Sequence, residues 1–145
     1  MKDVNYPAQK SYLLALTGIQ YNGGDIPVYH GEIPDSMSPD AYIVYGGITN
    51  TDASTKSSAE TFSLMRVTVH TFQMKYNTGK AAAAIANEIF QRIYPNSQAK
   101  IDLSPDNMQC VSTELVSDST LDYSIINART YLDRVIIFRH RIFHR

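Results

Sequence analysis

Apolar positions recur along this chain with two different periods, and the changes of period mark its elements. Over Asn5 to Gly18, Tyr12, Leu13 and Leu16 fall on one side at helical spacing; Asn5 stands as a cap, Pro7 sits in the first turn and Gly18 is a stop. Ile26 to Ile33 alternates through Val28 and His30 between the turn residues Asn22-Gly23-Gly24-Asp25 and Pro34, which predicts a short strand. Ala41 to Ile48 has the β-branched and aromatic content of a second strand, with Gly46-Gly47 permitting a bulge. Thr49 to Glu60 holds no apolar residue larger than Ala and reads as a long exposed hairpin tip. Thr61 to Gln73 then alternates, with Met65, Val67 and Val69 on one face and Thr68, His70 and Phe72 on the other.

The clearest helix is Lys80 to Ile93, where Ile85, Ile89 and Ile93 recur every four residues after a cap at Thr78 or Asn77 and before Pro95. Ala81 to Ala84 lets that helix approach a sheet closely. Met108 to Val116 and Arg129 to Arg145 are the last strands, an antiparallel pair joined by the polar Ser117 to Asn127. The order helix, three strands, helix, two strands predicts an α+β fold, one mixed and mainly antiparallel sheet packed with two helices, in a single domain over residues 1–145.

Composition narrows the function classes. Thirteen basic and fourteen acidic residues give a net charge of -1, so a generally basic, nucleic-acid-binding surface is not supported. A single cysteine, Cys110, excludes an intramolecular disulfide and a multi-cysteine zinc site. No apolar run reaches a membrane-spanning length, and Met1 to Lys10 lacks the pattern of a signal peptide.

Chemical motifs are weak. Thr78-Gly79-Lys80 matches only the end of a phosphate-binding loop, and ordinary capping explains it better. His140 and His144 share a face of the last strand but stand roughly 13 Å apart there, too far to bind one metal. Cys110 has no elbow around it and reads as a small buried apolar residue. The carboxylates Asp102, Asp106, Glu114, Asp118 and Asp122 match no calcium loop. No catalytic residue, cofactor or metal is therefore expected.

One charge pattern stands out: Ile101 to Ala128 carries five acids and no base, and Arg129 to Arg145 five arginines and one acid, Asp133. Two main readings remain open, with contact to DNA phosphates as a lesser third. Opposite charges can face one another across an antiparallel ladder, or Arg134, Arg139, Arg141 and Arg145 can meet the acids of a neighbouring subunit. The polar tip supplies a second set of interface candidates: Thr49, Asn50, Asp52, Lys56 and Glu60.

The succession of segments resembles the tail terminator, or tail completion, proteins of tailed bacteriophages. The features that carry it are Tyr12-Leu13-Leu14-Ala15-Leu16; Val28-Tyr29-His30-Gly31-Glu32-Ile33-Pro34; Tyr42-Ile43-Val44-Tyr45; Val67-Thr68-Val69-His70-Thr71-Phe72; Ala82 to Ile93 with Tyr94-Pro95; and Tyr131 to Phe143. The resemblance implies a non-enzymatic virion protein of the phage neck, made in the bacterial cytoplasm. It implies a ring, usually a hexamer, that caps the tail tube, ends tail growth and joins tail to head. Its partners would be further copies of itself, the tail tube protein and the head connector or stopper protein, with DNA only passing through the lumen and no membrane contact. A head completion or connector adaptor protein is the nearest alternative, and a small cytoplasmic enzyme or a nucleic-acid-binding module the more distant ones. If Arg139 and Arg141 lie between subunits, charge reversal there impairs assembly more than folding.

Overall fold

The computed structural model describes residues 3–37, 39–56, 58–72, 79–95, 101–126 and 128–144. Among the described residues nine helices and strands are numbered here in chain order, and a 3-10 turn, Ser104–Asp106, precedes the last two. Helix α1, Asn5–Leu16, is followed by the two-residue strands β1, Gln20–Tyr21, and β2, Gly24–Asp25, and by β3, Val28–His30. Strands β4, Ala41–Asp52, and β5, Glu60–Phe72, lead to helix α2, Lys80–Ile93, and then to β6, Met108–Ile126, and β7, Arg129–His144. Strands β3 to β7 form one five-stranded sheet in the order β3-β4-β5-β7-β6, with β3 parallel to β4 and the other pairs antiparallel. The architecture is the α+β arrangement that the periodicities predict.

Both helices pack on one face of the sheet. From α1 the residues Ala8, Tyr12 and Leu16 are buried, at spacings of four, and from α2 Ala82, Ile85, Ala86, Ile89 and Ile93. They close over Ile43 and Tyr45 of β4, Met65, Val67 and Val69 of β5, and Ile136, Phe138 and Ile142 of β7. Tyr12 rather than Leu13 sets the face of α1: Leu13 is exposed, as are Tyr6 and Leu14. Arg92 of α2 donates to the carbonyls of Ala15, Thr17 and Gly18 at 3.1, 2.8 and 3.4 Å, supplying donors that the last turn of α1 lacks and tying the two helices together.

Several boundaries differ from the sequence reading. Helix α1 ends at Leu16, and Gly18 lies beyond it with φ 91°, in the left-handed region. Asn5 is not a cap; its side-chain oxygen accepts a hydrogen bond from Asn50 on β4. The Asn22-Gly23 turn, with φ 52° and 78°, closes a small β1–β2 hairpin, as two left-handed residues in succession require. The strand expected over residues 26–33 shrinks to β3 because Pro27 and the turn at Gly31, φ 81°, bracket it. Thr78, Asn77 and Gln73 lie outside the described residues, and Gly79, φ 82°, precedes the first turn of α2.

The largest corrections concern the two polar segments. Strand β4 continues through a bulge between Gly47 and Thr49 to Asp52, and β5 begins at Glu60, so the connection is residues 53–59 rather than 49–60. Residues 117–126, expected as a connection, continue β6 in register with β7 to the pair Ile126↔Arg129. Low apolar content marked both stretches as loops, but a ladder stabilised by a partner strand tolerates Ser, Thr and Asp on its solvent side.

Candidate interface surface

Among the described residues the sheet's other face carries no helix. On it stand Phe62, Leu64, Arg66 and Thr68 of β5 and Val135, Ile137, Arg139 and Arg141 of β7, half-buried or exposed. One end is roofed, where Tyr131 donates to the carbonyl of Pro39 at 2.8 Å and Arg129 bonds Asp40 at 2.7 Å. Beneath that roof His70 and Asp133 are in contact at 2.6 Å, and the ring of Tyr42 stacks on His70 with centroids 4.5 Å apart. This buried polar pair joins β5 to β7 directly, as the register His70↔Asp133 requires. The sequence pattern left it invisible, because neither residue has its partner within sixty positions.

The β5–β7 ladder brings Glu60 of the first candidate group beside Arg139 and Arg141 of the second, whereas Arg134 stands opposite Val69 towards its other end. Glu60 pairs with Phe143, and Phe62 with Arg141, across that ladder. Arg141 donates to the buried carboxylate of Glu60 at 2.6 Å, and the guanidiniums of Arg139 and Arg141 lie 5.0 and 5.9 Å from the ring of Phe62. The amide of His144 donates to the carbonyl of Ala59, seating the β4–β5 connection against the end of β7. In that connection Lys56 is exposed, while Asp52 accepts from the amide and hydroxyl of Ser54, bonds that hold its carboxyl below the usual range. Thr49 is exposed, Asn50 is held by Asn5, and Arg145 lies outside the described residues.

The opposite charges of the C-terminal half do face one another across β6 and β7. Arg139 donates to Glu114 at 2.6 Å from the directly opposed position. Arg134 grips both oxygens of Asp118 at 2.9 and 2.7 Å on the helix-bearing face, and this contact raises the guanidinium's pKa. A double-mutant cycle on Arg134→Ala and Asp118→Ala is expected to give a coupling of about 0.2–1 kcal/mol in thermal unfolding, shrinking at high salt, because both groups are partly solvated. Since Arg141 holds a buried carboxylate, charge reversal there acts on the fold as well as on any contact between subunits.

His140 is fully buried on the helix-bearing face. It meets the hydroxyl of Tyr12 at 2.5 Å and that of Thr113 at 2.8 Å, with the sulfur of Cys110 at 3.8 Å. Burial lowers the His140 pKa to about 4 and raises those of Cys110 and Tyr12. Both members of the Cys110–His140 contact are therefore held neutral, the reverse of the thiolate–imidazolium state that nucleophilic catalysis uses. His144 bonds the hydroxyl of Thr61. Among the described residues no three His, Cys, Asp or Glu side chains gather as a metal site, and no helix is long and apolar enough to cross a membrane.

Exposed apolar side chains concentrate on the edge strand β6, a feature that sequence reading missed by assigning its second half to a loop. Val111, Leu115, Val116, Leu121 and Ile125 are 40–77% exposed.

No family model matches the chain, and no curated protein matches it in sequence. Among solved structures the fold is similar to that of a chain in the virion of a native gene transfer agent particle, with TM-score 0.58 and 17% identity over 80% of this chain and 78% of that one. At that identity the likeness is one of fold.

Proposed function

We propose that this chain is a structural component of a phage-like virion, a single tail-terminator-like domain that forms a ring in the neck, caps the tail tube and meets the head connector. The observation that carries the reading is the β6–β7 ribbon: a 19-residue edge strand with exposed apolar side chains, on a fold shared with a virion chain. Monomeric proteins seldom leave so long an edge open, and an edge of this kind suits contact with another chain. Function then resides in surface complementarity. A head-to-tail contact repeated about an axis closes into a ring when its rotation divides the circle. Thr49, Asn50, Asp52, Lys56 and Glu60, with Arg134, Arg139, Arg141 and Arg145, are the candidate contact residues, and DNA meets the ring only in passing.

The expected result is a closed ring, hexameric by resemblance, seen in solution mass across a concentration series and in electron micrographs, either free or on the ends of isolated tail tubes. A chain that stays monomeric and ignores tube ends refutes the reading. Capture by connector protein but not by tube protein assigns the ring to the head side, as an adaptor.

A further inference from the structure

Among the described residues the five-stranded sheet has an open edge on each side. On one side lies β6, which among the described residues pairs only with β7. On the other, β3 covers β4 only from Ile43 to Tyr45, and the last backbone bond to that edge runs from the amide of Gly31 to the carbonyl of Tyr45. Among the described residues no strand lies beside the outer edge of β4 from Gly46 to Asp52. Sheet edges left open in this way are ordinarily blunted by Lys, Pro or bulges. Here both edges are bulged, yet uninterrupted runs remain, Thr49 to Asp52 on the uncovered part of β4 and, between the three bulges of β6, Ser117 to Leu121 as the longest, without Lys, Arg or Pro in either.

The charges within these runs are already engaged inside the chain. Asp118 is held by both nitrogens of Arg134, and Asp52 accepts from Ser54. Bringing the two runs together leaves Asp118 paired with Arg134, and Asp52, exposed at the end of its run, hydrogen-bonded to Ser54, which lessens the usual obstacle to docking an acidic edge. The two edges lie at opposite ends of the strand order, so one copy's β6 edge meets the next copy's β4 edge in a contact that repeats in one direction. The backbone itself specifies the occupant as a strand, with pairing supplied by main-chain hydrogen bonds.

From these observations we infer that the Ser117–Leu121 run of one copy adds onto the Thr49–Asp52 run of the next, so that the sheet continues across each subunit boundary. The inference rests on the ring reading above and specifies its contact. Thr51 and Ser119 stand on the helix-free face, and Thr120 on the other.

The test uses single-cysteine chains in a Cys110→Ser background, each checked for an unchanged melting temperature, and a short thiol-to-thiol cross-linker. A mixture of Thr51→Cys and Ser119→Cys chains is expected to give a covalent dimer that neither chain gives alone, while Thr51→Cys with Thr120→Cys, on opposite faces, gives far less. Should Ser119→Cys destabilise the chain, Asn50→Cys with Thr120→Cys tests the same contact from the helix-bearing face. Cross-linking of Ser119→Cys with itself overturns the inference in favour of a two-fold edge contact. Rings that form without the mixed cross-link overturn it while leaving the ring reading intact, and absence of any assembly, on tube ends included, overturns both.

Discussion

Phe138→Ala is expected to lower the stability of the fold by about 3–5 kcal/mol, measured as a shift of the denaturant midpoint with little change in slope. Phe138 is fully buried on the helix-bearing face of β7, with Phe90 and Tyr94 set edge-on at centroid distances of 6.1 and 6.2 Å and His140 stacked at 6.2 Å. Truncation removes the part of the apolar contact between α2 and the sheet that Phe138 makes with Phe90, and leaves a cavity between rigid strands that relax little. The loss is a large part of the roughly 5–15 kcal/mol that holds an ordinary domain together. Ile125→Ala provides the contrast. That side chain is 77% exposed near the end of the β6–β7 ribbon, so its loss is expected to cost the monomer less than about 0.5 kcal/mol. A Phe138→Ala effect below about 1 kcal/mol would mean that the helix layer does not close over β7 as described.

The second large effect is a pH dependence centred on His140. In the unfolded chain this imidazole titrates near its ordinary value of 6.5; in the fold, burial lowers it to about 4. The groups facing it, the hydroxyls of Tyr12 and Thr113 and the Cys110 thiol, are neutral and offer no charge to stabilise an imidazolium. Between those two pKa values the unfolded state binds the extra proton, so stability rises with pH across that window and is lost as the pH falls through it. The drop from pH 7 to pH 4 attributable to this one group is on the order of 3 kcal/mol. Comparing unfolding free energies of the wild type and His140→Gln at several pH values isolates it. The variant is expected to be less stable at pH 7, because Tyr12 and Thr113 lose part of their pairing, but its stability should fall less steeply towards pH 4. Parallel pH profiles would assign the acid sensitivity elsewhere.

Much of the fold was legible in one dimension because the information is local. The isoleucines of α2, four residues apart, define a buried stripe whatever lies opposite, and the alternation of Met65, Val67 and Val69 points one face of β5 into a core that the chain had to build. The division between acidic and arginine-rich halves of the C-terminal region was likewise visible as a pattern with two possible meanings. Tertiary structure decided between its in-chain partners: Glu114 and Asp118 came to face Arg139 and Arg134 only once the β6–β7 register was set. It decided too that residues 117–126 are strand, since hydrogen bonds to β7 stabilise a polar segment whose side chains alone give no sign of it. The pairing of His70 with Asp133, the seating of Glu60 beneath Arg141 and the open edges of β4 and β6 arise from contacts between residues far apart in sequence. Local periodicity determines which face of an element is buried, whereas the identity of its neighbour depends on chain-wide packing that no single stretch of residues encodes.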